Sequence, residues 1–289
     1  MAIVILTDSA ADLKASVREE LGIVSVPLKV MFGEETYLDG VTIDSPLFFE
    51  KLQQFDALPT TSQPSPLDFV EAYKGIVEKY GKDVRIIAIM LSAALSGTYQ
   101  SAVIAKTMME DQVDITVIDS RKASFVTGLI CVEAAKAARE GKSKLQILDM
   151  IDRYLDEVQV YFIVDTLEYL QKGGRIGRAA AVLGSLLNIK PILTLDPAGY
   201  VTAFDKVRGT KKAINRVLEA LHEYAQDEPV VVAVLHSRIP EEAANFLERL
   251  KQEFSIKQSV LQEIGPVIGT HTGPGLLGIL MIKEKSLKT

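Results

Sequence analysis

The stretch VRIIAIML (84–91), read with the residues that follow it, decides the fold class. It is an apolar run of strand length, and SGTYQSAVIAKTMME (96–110) continues directly as a helix pattern. The same order of apolar strand and then helix recurs from AIVILT (2–7) and from DITVIDS (114–120). Apolar strands that alternate with helices predict a parallel sheet covered on both faces. The N-terminal part is therefore expected to be a three-layer α/β domain.

The second half of the chain has a different pattern. KPILTL (190–195) and YVTAFDKV (200–207) flank the turn residues DPAG (196–199) and predict a hairpin. VQVYFIV (158–164) and PVVVAVLHS (229–237) are further predicted strands, with helices between. Antiparallel pairs mixed with helices predict an α+β domain with a mixed sheet. We therefore expect two domains, residues 1–157 and 158–289.

Local signals predict several element boundaries. Ser9 is a predicted N-cap for a helix that runs to Leu21, where Gly22 ends it. IVSVPLKVMF (23–32) alternates as a single strand, and IGRAAAVLGSLLN (176–188) predicts a helix rich in small residues.

Composition argues against several classes of function. The formal net charge is −6 and the pI is near 5.3, whereas nucleic acids and anionic membranes favour basic partners. Only KVRGTKK (206–212) is clearly basic. The single cysteine, Cys131, cannot form an internal disulfide, and no paired spacing offers a zinc site. No apolar run approaches the ~20 residues of a membrane span, and the N-terminus lacks a signal peptide's basic region. We expect a cytoplasmic protein without metal or cofactor.

Two motifs resemble nucleotide-binding loops, and their context argues against both. GPGLLG (273–278) precedes a strand instead of opening a helix, and the chain ends soon after it. EGKS (140–143) lacks the upstream glycine of a phosphate loop, because position 136 is lysine. The sequence also contains no Gly-x-Ser-x-Gly and no His-Glu-x-x-His motif.

Three polar loops remain as candidate sites. PTTSQPSP (59–66) is the first, and LSAALSGTYQS (91–101) is the second. Ser92 ends a predicted parallel strand, where ligands of open α/β sheets bind, and Ser96 is either a helix N-cap or a donor to an anion. The third loop is GPVIGTHTGPG (265–275), in which glycines around His271 allow close approach to a ligand.

Five segments together resemble the DegV family. They are TDSAAD (7–12), TSQPSP (61–66), LSGTYQSA (95–102), DTLEYLQKGGRI (165–176) and GPVIGTHTGPG (265–275). They lie in family order over nearly the whole chain. The resemblance implies two α/β-type domains with a long-chain fatty acid held at their junction. It also implies a carrier without catalytic residues or cofactor, which presents the acid to a separate ATP-dependent fatty acid kinase for phospholipid synthesis in bacteria.

The resemblance also implies which residues bind the carboxylate. Thr61, a serine of the second loop and His271 are the expected hydrogen-bond partners. Relatives commonly carry a second serine where this chain has Ala93, so both Ser92 and Ser96 stay candidates, with Ser92 favoured. The full set of candidates, with adjacent hydroxyl residues, is Thr61, Ser62, Ser92, Ser96, His271 and Thr272. Arg175 resembles a position for docking the kinase, and the alternative is an ordinary surface arginine.

The chemistry of such a site agrees with this reading. A buried carboxylate needs hydrogen-bond donors, and hydroxyl and imidazole groups supply them. No lysine or arginine stands in the three loops. Each buried methylene contributes about 0.8 kcal/mol, so a sixteen-carbon chain has roughly 11 kcal/mol of gross driving force. The segment 176–187 is expected either to line the tail's channel or to pack as core.

Two other functions stay open from the sequence alone. One is a small-molecule phosphotransferase or hydrolase, with Ser96 as nucleophile and His271 as base. The other is a DNA-binding regulator, suggested only by KVRGTKK (206–212) and opposed by the acidic net charge.

Overall fold

The structure is a computed structural model that describes residues 2–110, 112–185 and 189–288. The chain divides into two compact units. The first comprises Met1–Leu155 together with Gly265–Val267, and the second comprises Asp156–Ile264 with Ile268–Lys288. The short segment Gly265–Val267 therefore belongs to the first unit although its neighbours in sequence belong to the second.

The first unit contains seven strands and six helices among its described residues. The strands are β1 (Ile3–Asp8), β2 (Val24–Val26), β3 (Lys29–Phe32), β4 (Glu35–Leu38), β5 (Thr60–Ser62), β6 (Arg85–Met90) and β7 (Asp114–Asp119). The helices are α1 (Ala15–Leu21), α2 (Ser45–Gln54), α3 (Pro66–Tyr80), α4 (Thr98–Met108), α5 (Phe125–Arg139) and α6 (Lys144–Glu157).

The main sheet of the first unit is parallel, in the order β2-β1-β6-β7. Val4 and Leu6 of β1 pack with α3 and α4 in one buried cluster. Ile5 is also buried, and because side chains alternate along a strand it faces the opposite side, where α5 packs on β1. Helices thus cover both faces, and the predicted three-layer α/β domain is confirmed.

The region after β1 differs from its predicted form. A 3₁₀ helix, Ser9–Ala11, comes first, and Asp8 caps it by accepting a hydrogen bond from the amide of Ala10 at 3.0 Å. The predicted N-cap role of Ser9 is therefore wrong, because its Oγ accepts from the amide of Leu28 at 3.0 Å instead. Gly22 does end α1, with φ of 70°.

The predicted single strand over residues 23–32 is two strands in two sheets. β2 extends the parallel sheet, whereas β3 is the middle strand of an antiparallel sheet in the order β4-β3-β5. Pro27 lies between the two strands and has no N–H to donate to a ladder, which fits a break at this point.

The second unit is built on one six-stranded sheet. Its strands are β8 (Gln159–Ile163), β9 (Lys190–Leu195), β10 (Val201–Val207), β11 (Val230–His236), β12 (Ile256–Glu263) and β13 (Leu277–Lys283). Its helices are α7 (Glu168–Lys172), α8 (Thr210–Ala225), α9 (Pro240–Glu253) and α10 (Pro266–Thr272), whose first two residues lie in the first unit.

The strand order in this sheet is β10-β9-β8-β13-β11-β12. Only β11 and β12 pair in parallel, and the other pairs are antiparallel. α8 and α9 bury their apolar faces against it, with Leu221 and Leu250 fully enclosed. The predicted α+β unit with a mixed sheet and the hairpin at 196–199 are confirmed.

The segment predicted as a helix over 176–188 has 3₁₀ form over Gly177–Ser185. A Cβ at Gly177 would lie 2.7 Å from the carbonyl oxygen of Val201, so this segment packs closely on β10. Leu186 and Leu187, which belong to the predicted channel lining, lie outside the described residues.

Candidate functional site

Ser92 follows the C-terminal end of β6, and the surrounding backbone fixes it there. The carboxylate of Asp8, at the end of neighbouring β1, accepts from the amide of Leu91 at 2.8 Å. The amide of Ser92 donates to the carbonyl of Lys122, which follows β7, at 2.8 Å. The ends of three adjacent parallel strands therefore converge on Ser92, where ligands of open α/β sheets bind.

The side chain of Ser92 is fully buried. Its Oγ accepts from the amide of Ala94 at 3.2 Å, and its carbonyl accepts from the amides of Leu95 and Ser96. A serine hydroxyl can act as donor and acceptor at once. Ser92 thus combines burial, a fixed backbone and a donor at the expected edge of the sheet.

Ser96 is held differently. The N-cap of α4 is Gly97, so the reading of Ser96 as the N-cap itself is wrong. Its Oγ lies 2.9 Å from Oγ1 of Thr98 and accepts from the amide of Thr98 at 3.3 Å. The hydroxyl of Ser96 is therefore engaged within its own turn.

The first polar loop contains a short strand, β5. Thr61 lies in β5 opposite Val30 of β3. Because side chains alternate along a strand, Thr61 and Ser62 point to opposite faces, and the two candidates do not converge. The Oγ of Ser62 donates to the carbonyl of Gln63 at 3.4 Å.

The structure brings the first and second polar segments together inside the first unit. A Cβ placed on Gly97 would lie 3.2 Å from Nε2 of Gln63, so these two residues are in contact. The residues that follow β5 therefore pack against the start of α4. Thr61 and Ser92 belong to segments that are joined at this contact.

The first unit also holds two buried acids, Asp8 and Asp39, and one half-buried acid, Asp12, that sequence reasoning did not select. Burial raises the pKa of Asp8 to about 7, and the amides of Leu91 and Ala10 oppose that shift. Burial likewise raises the pKa of Asp39 to about 7. Burial raises the pKa of Asp12 well above its ordinary value, while its hydrogen bond from Ser124 opposes the shift. The motif TDSAAD (7–12) contained two of these acids, but nothing in it indicated their burial.

A buried lysine lies beside the same sheet edge. Lys122 is only 8% exposed, and its carbonyl is the acceptor for the amide of Ser92. Lys122 stands outside the three polar loops, none of which contains a lysine or arginine. Its position two residues after a predicted strand, next to the strand that carries Ser92, was the available signal.

His271, in the second unit, lies on a helix and not in a loop. GPVIGTHTGPG (265–275) contains α10, so the predicted glycine-rich loop is wrong over Pro266–Thr272. A Cβ at Gly173 would be 2.5 Å from Nδ1 of His271 and 2.8 Å from the carbonyl of Tyr169. Only glycine fits at position 173 with the imidazole in this place.

Burial, and next the charge of Arg175, lower the pKa of His271 to about 4. The imidazole is therefore neutral near pH 7, and a neutral imidazole carries one N–H. Nη1 of Arg175 donates to the carbonyl of Gly173 at 2.7 Å, and the side chain is partly buried. Arg175 is thus a neighbour of His271 and not a simple surface arginine.

Thr272 is buried, and its hydroxyl donates to the carbonyl of Ile268 at 2.9 Å. Because the hydroxyl proton of Thr272 is used within α10, we expect Thr272 to be a weaker hydrogen-bond donor to a carboxylate than His271. The two residues are adjacent in sequence, but their hydrogen bonds differ.

The turn after α10 is closed by a serine that sequence reasoning missed. Ser237, fully buried after β11, donates from Oγ to the carbonyl of Gly273 and accepts from the amide of Leu276, both at 2.8 Å. Gly273 has φ of 69°, and a Cβ there would lie 2.4 Å from the ring of Tyr169. These contacts explain the glycines near His271 by packing and backbone conformation.

No set of His, Cys, Asp or Glu side chains in 2–110, 112–185 and 189–288 has the arrangement of a metal site. Within the same ranges, no helix has the length and apolarity needed to cross a membrane.

A family model described as "Uncharacterised protein, DegV family" matches residues 2–284. This chain belongs to the DegV family. It is 38% identical to protein DegV of Bacillus subtilis (strain 168) over 281 residues, which cover 96% of this chain and 98% of that one. The resemblance inferred from five short segments is therefore confirmed.

Solved structures of DegV proteins have the same fold. A Thermus thermophilus DegV family protein, described for its fatty acid binding, has a TM-score of 0.91 at 36% identity, covering 98% of this chain and 100% of that one. DegV of Bacillus subtilis, described as a fatty acid binding protein, has a TM-score of 0.90 at 37% identity with the same coverage. A stearic acid-binding protein of Eubacterium ventriosum has a TM-score of 0.86 at 28% identity, covering 97% and 98%.

Proposed function

We propose that this chain binds a long-chain fatty acid and presents its carboxylate to a separate ATP-dependent fatty acid kinase. The kinase forms an acyl phosphate for phospholipid synthesis, and the proposed location is the cytoplasm. Family membership and three relatives described as fatty-acid-binding proteins support the first part. The kinase partner rests on the family resemblance alone.

The observation that carries the proposal is the neutral imidazole of His271. Because its pKa is lowered to about 4, it offers an N–H at neutral pH without a charge. Ser92, buried at the end of β6, offers a second uncharged donor, and Thr61 a third. We propose that these three residues bind the carboxylate, and that Ser62, Ser96 and Thr272 contribute less.

Uncharged donors suit a carboxylate that must react afterwards. Arginine or lysine would bind the head group more tightly and hold its negative charge. With neutral donors the charge stays on the ligand, and one carboxylate oxygen can attack the γ-phosphate of ATP held by the kinase, releasing ADP. In this proposal the chain supplies binding and orientation, and none of its residues is catalytic.

The apolar tail supplies most of the proposed affinity. Sixteen carbons correspond to roughly 11 kcal/mol of gross transfer free energy, from which the loss of freedom on binding is subtracted. Ala179 and Val182 of the 3₁₀ segment are buried, which is equally expected for channel lining and for packed core.

The test is titration of the purified, delipidated protein with palmitate by calorimetry or by displacement of a fluorescent fatty acid. We expect saturable binding that His271→Ala and Ser92→Ala weaken. Binding that is non-saturable, or unchanged in both variants, would contradict the proposal.

Arg175 remains a proposed docking residue for the kinase. Its contact with the carbonyl of Gly173 offers a second role, support of His271. The two roles separate in Arg175→Ala: a docking role raises the kinase's KM for the loaded carrier and leaves fatty acid affinity unchanged. A supporting role weakens fatty acid binding itself.

The alternative, an enzyme with Ser96 as nucleophile and His271 as base, has little support. Thr98 engages the hydroxyl of Ser96, and an imidazole with a pKa of about 4 is a weak base at neutral pH. Turnover of phosphate or ester substrates by the protein alone, lost in Ser96→Ala, would revive this reading.

A further inference from the structure

Asp12 joins three parts of the first unit that are far apart in sequence. Its Oδ2 accepts from the Oγ of Ser124 at 2.5 Å, across 112 positions. Its Oδ1 accepts from the amide of Gly265 at 3.0 Å, across 253 positions. Both oxygens of this carboxylate are therefore used in long-range contacts.

The residues that form this contact adopt backbone conformations that side chains generally avoid. Asp12 has φ of 52° at the end of the 3₁₀ helix, and Ser124 has φ of 56° and ψ of −156°. Such conformations persist where the surrounding structure holds them, and they are frequent at functional sites.

Ser124 also forgoes its usual helix-capping role. It stands at the N-cap of α5, yet its side chain makes no capping hydrogen bond there and donates to Asp12 instead. Next to it, a Cβ on Gly128 would lie 2.4 Å from the carbonyl of Ala11, so α5 approaches the residue before Asp12 as closely as a glycine permits. The hydrogen bond from Ser124 and the close approach at Gly128 thus both fix the position of Asp12 relative to α5.

Gly265 is required by the same contact. A Cβ at this position would lie 2.5 Å from Oδ1 of Asp12 and 3.7 Å from Oδ1 of Asp39. Gly265 is not among the glycines of positive φ, so the need for glycine comes from the approach of the carboxylate and not from the backbone conformation.

Gly265 is the residue immediately before α10. Pro266 opens that helix and has no N–H, so the amide of Gly265 is the last one before the first turn. His271 follows six residues later, roughly 9 Å along the helix axis at 1.5 Å per residue. The hydrogen bond to Gly265 therefore fixes the N-terminal end of α10, the helix that carries the proposed imidazole donor.

We propose that Asp12 is a positioning residue for fatty acid binding, holding the N-terminal end of α10 through Gly265 so that His271 is presented in its binding orientation. The hydrogen bond from Ser124 holds the side chain of Asp12 in the orientation that this contact needs. The inference rests on the proposed function, since it assigns a purpose to the placement of His271. Asp12 itself does not touch the ligand in this proposal.

Substitutions at position 12 separate this role from a general structural one. Asp12→Ala removes the acceptor for Gly265, whereas Asp12→Asn keeps a carbonyl oxygen for that amide. We expect Asp12→Ala to lower palmitate affinity about tenfold, as for loss of one positioning hydrogen bond, and Asp12→Asn to stay within about threefold of wild type. Asp39→Asn is the matched control, a neighbouring buried acid without a bond to Gly265, and should leave affinity unchanged.

A double-mutant cycle provides the decisive readout. If Asp12 acts through His271, Asp12→Ala causes little further loss in a His271→Ala background. Equal losses in both backgrounds, or wild-type affinity in Asp12→Ala, would overturn the inference. Should Asp12→Ala fail to fold, Ser124→Ala is the second variant, with a smaller loss expected in the same cycle and additivity again overturning the inference.

A ligand-free measurement separates failure of this inference from failure of the proposed function. Asp12→Ala should shift the imidazole resonances of His271 and speed exchange of the Gly265 amide, while Asp39→Asn should do neither. If wild type binds no fatty acid, the proposed function fails whatever these spectra show. Unchanged His271 resonances in Asp12→Ala would overturn the positioning role alone.

Discussion

Burial shifts the pKa of the buried carboxyl groups of the first unit and of the buried histidines of the second unit in opposite directions. In the first unit, burial raises the pKa of Asp8 and Asp39 to about 7. In the second, burial lowers the pKa of His236, and that of His271 to about 4. Burial favours the neutral form in both cases, but neutrality means a bound proton for the acids and an absent proton for the histidines.

These carboxyl and histidine groups make the stability of each unit depend on pH. Acids with a raised pKa stabilise the folded state below their ordinary pKa, and the contribution is lost as the pH rises through 7. Histidines with a lowered pKa stabilise it above about 6.5, and the contribution is lost as the pH falls towards 4. Acidification is thus expected to favour the first unit and to weaken the second, which holds the proposed imidazole donor.

The largest expected effect is at Asp39. Asp39→Asn removes a group whose pKa rises from 3.8 to about 7, so the variant should gain unfolding free energy relative to wild type as the pH increases. The gain between pH 4 and pH 8 is about 4 kcal/mol at most. Urea unfolding of both proteins at several pH values measures it. The exposed Asp83→Asn serves as control, and parallel curves for Asp39→Asn and wild type would contradict the raised pKa.

The next effect, with the opposite sign, is at His271. Between pH 6.5 and pH 4 the wild type should lose unfolding free energy relative to His271→Gln, by about 3 kcal/mol at most, because only the unfolded imidazole takes up a proton readily. The same urea titrations report it, with His222→Gln, at an exposed position of α8, as the control. If the unfolding free energy of the wild type does not fall relative to that of the variant between pH 6.5 and pH 4, the lowered pKa of His271 is contradicted.

Gly173→Ala is expected to follow in size. The added Cβ would lie 2.5 Å from Nδ1 of His271, so the ring must move, at a cost of about 1 to 3 kcal/mol in stability. Palmitate affinity should fall about tenfold or more. Gly75→Ala is the matched control, since nothing lies within 4 Å of its added Cβ and an alanine suits a helix. Full affinity in Gly173→Ala would show that His271 does not depend on this packing.

The smallest expected effects distinguish the serines and threonines. Ser92→Ala should lower palmitate affinity about tenfold, since one neutral hydrogen bond to the ligand is lost. Ser96→Ala and Thr272→Val should change it by no more than about threefold, because Thr98 and Ile268 already engage those hydroxyls. The reverse ranking of Ser92 and Ser96 would mean that the turn at Ser96 rearranges on binding.

The elements predicted best are those that depend on the local hydrophobic period and composition of the sequence. Apolar runs such as 84–91 identified the parallel strands, and the position of Ser92 followed from a rule about strand ends. The break between β2 and β3 was missed because alternation continues across Pro27, which belongs to neither sheet. Pro27 was the local signal for a break, and the sheet partners show that the two strands belong to different sheets.

Long-range contacts explain the other errors and omissions. His271 was expected in a glycine-rich loop, but Gly173, Gly265 and Gly273 are needed because His271, Asp12 and Tyr169 approach them from distant parts of the sequence. The burial of Asp39 and Lys122 likewise depends on neighbours that no local pattern reveals. The types of residue in the candidate site could thus be predicted from the sequence. Their pKa shifts and the residues that pack against them could be found only from the structure.

The central claim is that this chain carries a fatty acid, and mass spectrometry of its organic extract tests that claim most directly. The protein should be purified without detergent, extracted, and compared with a mock purification and with the His271→Ala variant. We predict a stoichiometric long-chain fatty acid from wild type, reduced in the variant. An extract without fatty acid, from protein that also takes up no palmitate afterwards, would contradict the claim.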